Sequence, residues 1–429
     1  MRILNLSNFY PPQTLGGYEQ WCEEVSDGLR GRGHEVFVVT SRYSSDRQQR
    51  PGPAWIHRQL HLEMELDSRR NALRFFTSRR ANERENLSLL RTLVSELVPD
   101  CALIWGMWNL HRSLPVLAEG LLPNRVAYYV GDYWPTLPSQ YELYWQGPAR
   151  NRLAGLFKRP LRAAARRIMA RDVRPTLEFR HAMFPTAFVR DELARRGLHA
   201  GRSQVVHGAI ETSRYARLDS QRHERVGQTL RFLCVGRLTA DKGIHTAVEA
   251  LGRLVQDHRV TRVSMTIVGS GDRGYEERLK DLARRLGVDQ YVLFLPARPK
   301  ATMPDLYREF DILLFTSIWP EPFGRVLVEA MASQLAVVGS ATGGAAEILA
   351  DGENALVYRP GDADDLARQI LRLIDRPALR QELACAARRD ACARFDSQRM
   401  TTAIEDFLRR MVADARAGDQ GRPTSGSRH

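Results

Sequence analysis

Along almost the whole chain, short apolar runs alternate with segments whose apolar positions recur at helical spacing, which predicts α/β domains with largely parallel sheets. The first unit is the clearest. A strand "RILNLS" runs into the loop "NFYPPQTLGG", then into a helix with Tyr18, Trp21, Cys22, Val25 and Leu29 on one face, then through "RGRGHE" into the strand "VFVVTS". Further strands are expected at "CALIW" (101–105), at "RVAYYV" (125–130) and around Met183 and Val205. The second half restarts the pattern: "LRFLCVG", "VSMTIVG", "YVLFLP", "DILLFTS" and "LAVVGS" are each followed by a turn and a helical segment. Two such series predict two Rossmann-like lobes facing each other across an interdomain cleft.

The length of 429 residues suits two domains at roughly 100 to 200 residues each. The expected boundaries are a first domain at 1–206, a linker at 207–229, a second domain at 230–395, a helix at 396–415 crossing back to the first lobe, and a disordered polar tail at 416–429. The start has too short an apolar run for a signal peptide, and no run of about 18 apolar residues occurs, so a cytoplasmic, non-spanning protein is expected. Five cysteines, odd in number, suit neither a disulfide framework nor a zinc site. The formal net charge of +13 favours anionic partners. Only Lys158, Lys242, Lys280 and Lys300 are lysines among 63 basic residues, so each lysine marks a place where a compact ammonium has a use.

Ligands of parallel α/β sheets sit beyond the carboxyl ends of the strands, where loops turn into helices. After "FLCVG" come Arg237 and Lys242, two cations able to straddle a diphosphate; after "LAVVGS", Gly343 and Gly344 allow backbone to approach an anion. After "DILLFTS", the stretch "WPEPFGRVLVEAMA" carries two carboxylates. Glu321 precedes a predicted helix and Glu329 lies about a turn and a half inside it. Glu321 is placed to meet the sugar or phosphate end of a nucleotide sugar, and Glu329 to accept from ribose hydroxyls. The plainer alternative is a carboxylate at a helix N-terminus and a solvated helical residue. "GSGDRG" (269–274) fits a dinucleotide-binding pattern, but the following strand ends in Pro296, Ala297 and Arg298 with no acid, so the loop reads as a further wall of a nucleotide pocket. "GDADD" (361–365) reads as a helix N-cap with an acidic first turn. His34 and His245 read as packing or surface residues, whereas His207 is a candidate to face the cleft. The stretch 150–174 has Arg150, Arg152, Lys158, Arg159, Arg162, Arg166, Arg167, Arg171 and Arg174 against Asp172 alone, interleaved with Leu153, Leu156, Phe157, Leu161, Ile168 and Met169. It suits an anionic membrane surface or a solvated basic face.

"EPFGRVLVEAMA" resembles the Glu, seven residues, Glu motif of the retaining glycosyltransferases of family 4 (group 1), which have the GT-B fold. "GRLTADKG", "TGGAAEIL" and "PPQTLGGYEQ" match the same family in the same order. The resemblance implies transfer of a sugar from a nucleotide-diphosphate-sugar donor to a glycan or lipid-linked acceptor with retention of configuration, in glycan, polysaccharide or glycolipid biosynthesis, without a metal or other cofactor. It implies that Arg237 and Lys242 hold the diphosphate, that Glu329 binds the ribose, that Glu321 lies by the donor sugar, and that Gly16 and Gly17 close over the phosphates. Gly236, Gly269, Arg298, Phe323, Gly324, Gly343 and Gly344 complete the expected donor site. The chain departs from the family at "YVGDYWP": Gly131 stands where a histidine is common, and Asp132 is a candidate to take part in its place. Gln334 stands where glycine is common and reads as local packing. The competing readings are a nucleotide-sugar epimerase or phosphorylase on the same fold, and a basic membrane- or nucleic-acid-binding protein. No nucleic-acid motif accompanies the charge.

Overall fold

The computed structural model describes residues 1–14, 16–43, 53–66, 70–148, 152–172, 175–216 and 229–420. Residues 217–228 of the expected linker, 421–429 of the expected tail, and Arg150 and Arg174 of the basic stretch lie outside these. The chain divides into two units, one comprising residues 1–185, 189–206 and the stretch from Thr401 onward, the other residues 186–188 and 207–400.

The first unit has one sheet of seven parallel strands: β1 (Arg2–Ser7), β2 (Glu35–Ser41), β3 (Ile56–Leu60), β4 (Cys101–Ile104), β5 (Val126–Tyr129), β6 (His181–Phe184) and β7 (Arg202–Val205), in the order β3-β2-β1-β4-β5-β6-β7. The central strands are buried on both faces, which is why "RILNLS" and "CALI" read as nearly unbroken apolar runs. β3 was not expected. Its sequence "IHRQL" has neither an apolar run nor clean alternation, because only Leu60 is buried at this sheet edge.

The second unit has six parallel strands, β8 (Leu230–Val235), β9 (Val263–Val268), β10 (Val292–Leu295), β11 (Ile312–Phe315), β12 (Ala336–Ser340) and β13 (Leu356–Tyr358), in the order β10-β9-β8-β11-β12-β13. In both sheets the order of strand addition thus reverses beside the first strand, between β1 and β4 and between β8 and β11. Such a switch point opens a crevice at the carboxyl ends where two neighbouring loops diverge. The apolar core of the second unit packs Phe232, Val248, Leu251, Met265, Ile267, Leu314 and Val338 between helices and sheet.

Part of the expected linker is built into this unit. Ala209, Ile210, Thr212 and Tyr215 are buried, and Thr212 Oγ1 donates to Asp396 Oδ2 at 2.6 Å. The last helix runs Ser397–Gln420, five residues into the stretch expected to be tail. In the first unit Glu405 on this helix accepts from Arg32 Nη1 and from His34 Nε2, both at 2.9 Å, and these partners hold its carboxyl down at about 2. His34 is therefore a packing residue, as is His245, whose Nδ1 lies 3.0 Å from the Tyr275 hydroxyl.

Two deviations from a plain reading have local causes. Gln334 has φ +61°, just past the helix Arg325–Ala332, a left-handed position that favours glycine. The reading as packing is therefore incomplete: the backbone asks for glycine, and the side chain offsets the cost through Nε2, 3.1 Å from Cys385 Sγ. Lys158 donates to the carbonyls of Tyr144, Gly147 and Pro148 at 2.7, 3.0 and 3.3 Å. This is the carboxyl end of the helix Gln140–Gln146, where a three-donor ammonium satisfies several orphan carbonyls. Burial pushes the thiols of Cys101 and Cys234 up to about 12, and all five cysteines are free.

Candidate nucleotide-sugar site at the second switch point

The loops after β8 and β11 are tied together by backbone before any charged group enters. The backbone N–H groups of Ile318 and Trp319 donate to the Asp241 carbonyl at 3.0 and 3.1 Å, and Thr316 Oγ1 donates to the Lys242 carbonyl at 2.9 Å. Gly243, at φ +62°, admits this approach; a Cβ there would lie 2.1 Å from the Thr316 carbonyl oxygen. The result sets Lys242 from one side of the switch against Glu321 from the other. Lys242 Nζ donates to Glu321 Oε1, which also accepts from Ser317 Oγ at 2.8 Å. Ser317 is fixed in turn, its carbonyl accepting from Ser340 Oγ at 2.6 Å and Thr342 Oγ1 at 3.2 Å. The two side chains are 19% and 10% exposed, so the pair is enclosed but reachable. Arg237 lies exposed in the same β8 loop, and its guanidinium makes no hydrogen bond or ion pair with a described residue.

Glu329 is buried inside the helix Arg325–Ala332, as its apolar neighbours suggested. Its Oε2 accepts from the Tyr307 hydroxyl at 2.9 Å and its Oε1 from Arg325 Nε at 3.1 Å. Burial and the adjacent carboxylate hold the Tyr307 phenol protonated, well above its ordinary pKa. The reading of Glu329 as a solvated helical residue fails here. Its carboxylate is an engaged acceptor, and any further hydroxyl would join Tyr307 and Arg325 around it.

Gly343 and Gly344 also have a packing role. The loop carrying Glu321 passes directly against them: a Cβ at Gly343 would lie 2.6 Å from the Glu321 carbonyl, and one at Gly344 2.3 Å from that of Pro322. The Gly344 N–H already donates to the Glu321 carbonyl at 2.6 Å. Both glycines thus hold the Glu321 loop, and the Gly344 N–H is engaged in doing so. Gly269 is similar, since its Cβ would fall 1.8 Å from the Gly236 carbonyl oxygen, joining the β9 loop to the β8 loop. Asp272 caps the helix Arg273–Arg285 through the N–H groups of Gly274 and Tyr275. That helix N-terminus is therefore taken, which argues against the dinucleotide reading of "GSGDRG". Phe323 is 2% exposed with its ring on Phe395, 5.6 Å between centroids, so its side chain belongs to the core. Gly324, at φ +105°, starts the following helix. Arg298 is exposed beyond β10, at the edge of the sheet and away from the Lys242–Glu321 pair by strand order. His207 packs its ring edge-on against Phe395. Asp362 is the helix N-cap expected of "GDADD", accepting from Asp365 N at 2.9 Å.

At the switch point of the first unit, Gly16 caps the helix Gly17–Gly31 and is open on its Cβ side. The departure at Gly131 has a steric explanation that no short motif could reveal. The Tyr18 ring lies between Gly106 and Gly131, where added Cβ atoms would come within 3.0 and 2.9 Å of it, and its hydroxyl donates to the Tyr129 carbonyl. A side chain at position 131 would displace that ring. Asp132 follows, half-buried, with Oδ1 accepting from Trp134 N at 2.9 Å. Burial raises its carboxyl to about 6.

Two Rossmann-like units with these strand orders define the GT-B class of fold. Residues 15–214 match the family model described as Glycosyltransferase Family 4, and residues 217–390 that described as Glycosyl transferases group 1. The chain is 33% identical to the glycogen synthase of Mycobacterium tuberculosis over 422 residues, 94% of this chain and 93% of that protein. It is 36% identical to the D-inositol 3-phosphate glycosyltransferase of Acidothermus cellulolyticus over 200 residues, 44% of each. Among solved structures, Anabaena Alr3699/HepE in complex with UDP and glucose has a TM-score of 0.68 at 21% identity, covering 96% of this chain and 100% of that one. That likeness is one of fold. The chain belongs to the group 1, family 4 glycosyltransferases.

Because the Asp132 carboxyl is raised in the folded chain, its native state binds more protons than the unfolded state between the ordinary carboxylate range and about 6. Its contribution to stability therefore falls as pH rises through that window. Asp132→Asn keeps an acceptor for Trp134 N and should raise the stability at pH 7 by roughly 1 to 2 kcal/mol, seen as a higher thermal midpoint, while changing it little at pH 3.5. Thermal scans of both chains at the two pH values check this; an equal shift at both would show that ionisation is not involved.

Proposed function

We propose that the chain is a retaining glycosyltransferase that takes a nucleotide-diphosphate sugar as donor and binds it over the β8–β11 switch point, without a metal. The observation that carries this reading is the Lys242–Glu321 pair braced across the switch. An ammonium has three donors and Glu321 engages one, which leaves capacity for a diphosphate. Arg237, exposed and uncommitted among the described residues, supplies a second cation. As the glycosidic bond breaks, its electron pair goes to the diphosphate oxygen. Fixed cations stabilise that growing charge more than they stabilise the bound donor. The acceptor hydroxyl attacks the anomeric carbon from the side the diphosphate leaves, and the departing diphosphate takes its proton. Glu321, anchored by Lys242 and Ser317, is the carboxylate beside the sugar, and Glu329 accepts from the ribose hydroxyls. Glycogen synthase and the inositol-phosphate glycosyltransferase, by name, serve different acceptors, so their likeness supports the reaction class rather than one acceptor.

Lys242→Ala and Arg237→Ala should each weaken nucleoside diphosphate binding about 10- to 100-fold, the loss of one charge-assisted contact of roughly 1.5 to 3 kcal/mol. Glu321→Gln should instead lower turnover and change that affinity little. Calorimetry with nucleoside diphosphate and initial rates with donor separate the two. Unchanged affinity in both cation variants, at unchanged thermal midpoints, contradicts the assignment.

A second observation extends the reading to where the acceptor is presented. Leu73, Phe76, Leu143 and Leu161 are exposed by 60, 37, 43 and 41% on the helices Asn71–Thr77, Gln140–Gln146 and Arg152–Arg171, which pack on one cluster around Phe75 and Trp145. Arg159, Arg166, Arg167 and Arg171 are exposed on the last of these. Large apolar side chains beside unopposed arginines suit an anionic bilayer surface at the cytoplasmic face better than a merely solvated face. Among the described residues no helix is long and apolar enough to cross a membrane. The protein should co-sediment with anionic vesicles, much less with neutral ones, and high salt should release it. Equal indifference to both vesicles supports the solvated face instead.

A further inference from the structure

Two donors from different elements meet the Glu329 carboxylate on different oxygens. The Tyr307 hydroxyl, on the helix Met303–Arg308, donates to Oε2 at 2.9 Å, and Arg325 Nε, one turn back on Glu329's own helix, donates to Oε1 at 3.1 Å. Tyr307 is fully buried, and the Arg325 and Glu329 side chains are each 10% exposed. Arg325 is the first residue of its helix, the end at which the helix dipole disfavours a cation, so its place is explained by these contacts rather than by helix preference.

One segment of the second unit fixes both donors. Arg325 Nη1 donates to the Ala209 carbonyl at 3.2 Å, and the Tyr307 ring meets the Tyr215 ring edge-on, 6.0 Å between centroids. Beside Tyr307, Arg308 Nη2 donates to the carbonyls of Arg214 and Ala216 at 3.3 and 3.0 Å. That segment is anchored in turn by Ile210 N, which donates to the Phe395 carbonyl at 3.0 Å, and by the Thr212–Asp396 bond. A continuous chain of contacts therefore runs from enclosed backbone to the Glu329 oxygens.

The terminal torsion of a glutamate side chain is soft and roughly two-fold, so burial by itself lets the carboxylate plane turn. A donor on one oxygen would leave the other to swing about it. Donors on both oxygens, from two helices, set the plane. The difference is felt by a ligand with two adjacent hydroxyls, because both oxygens must be presented together to accept from a vicinal diol, whereas one hydroxyl can be met in several orientations. Arg325 already supplies the balancing charge; the phenol adds direction and no charge. Burial and the adjacent carboxylate keep that phenol protonated, so toward Glu329 it always donates.

We propose that Tyr307 is a positioning residue: with Arg325 it sets the plane of the Glu329 carboxylate, so that both oxygens accept at once from the 2′ and 3′ hydroxyls of the donor nucleotide. This rests on the reading of Glu329 as the acceptor for the ribose hydroxyls.

Calorimetry on the full chain with uridine, adenosine and guanosine diphosphate finds the base that binds, and that nucleotide is then compared with its 2′-deoxy counterpart. The unaltered chain should bind the ribonucleotide about tenfold more tightly, the worth of one charge-assisted hydrogen bond. Tyr307→Phe should weaken the ribonucleotide by about five- to tenfold and the 2′-deoxynucleotide by less than about twofold, so that the preference largely disappears. Tyr128→Phe is the control. It deletes a buried phenol that donates to a carboxylate in the first unit, Glu119 Oε1 at 2.7 Å, and should keep the preference however far it lowers the thermal midpoint. Arg325→Met removes the donor to the other oxygen; it should abolish the preference too, and decides the matter should Tyr307→Phe fold poorly. A preference kept in the folded variants, or equal losses for the two nucleotides, overturns the positioning role while leaving the donor site in place. A chain that binds both nucleotides equally well before any substitution takes Glu329 off the ribose, and one that binds no nucleoside diphosphate counts against the donor site itself; either result overturns the proposal.

Discussion

The loops at the second unit's switch point are organised around the Lys242–Glu321 ion pair. Glu321 is 8% exposed in a loop, and a carboxylate there is tolerable only with partners. Lys242 and Ser317 supply them, and nearly every unusual feature of the surrounding backbone serves to bring those three together. Gly243 lets the β8 loop touch the β11 loop, Gly343 and Gly344 let the β12 loop pass beneath Glu321, and Ser340 and Thr342 hold the Ser317 carbonyl. Removing one partner from such a pair leaves a desolvated charge behind, so the loops and the charges stand or fall together. An ion pair on a solvated surface would impose none of these constraints.

The same topology recurs in the first unit with different contents. There the loops of the central strands close on an aromatic ring: Tyr18 sits between Gly106 and Gly131, with Asp132 beyond. The two switch points are thus built alike, by glycines permitting close approach, yet one is set up to hold charge and the other to hold a ring. Substituting Gly131 would alter the position of Tyr18 before it altered anything a ligand touches.

Much of the fold was legible because buried parallel strands leave apolar runs and because Gly- and Pro-containing loops interrupt them. β3 was not legible, since an edge strand with one buried residue leaves no pattern, and the three-residue β13 was too short to leave one. Lys242 stood out because the composition avoids lysine, although the same reasoning applies to Lys158, whose ammonium only ties off a helix end. Glu329 was legible as a carboxylate in an apolar stretch, but its partner Tyr307, 22 residues away, was not. The packing of Gly343 and Gly344 against the Glu321 loop was not legible, because a glycine near a strand end looks the same whether it admits a ligand or another loop.

The central claim is that Lys242, held by Glu321, binds the diphosphate of a donor and that Glu321 lies beside the donor's sugar. A crystal structure of the full chain with a nucleoside diphosphate tests it most directly. The account predicts a diphosphate oxygen within hydrogen-bond distance of Lys242 Nζ, the Arg237 guanidinium turned onto the same group, and Glu321 still held by Ser317. A diphosphate bound elsewhere in the chain, with the Lys242–Glu321 pair untouched, would contradict it.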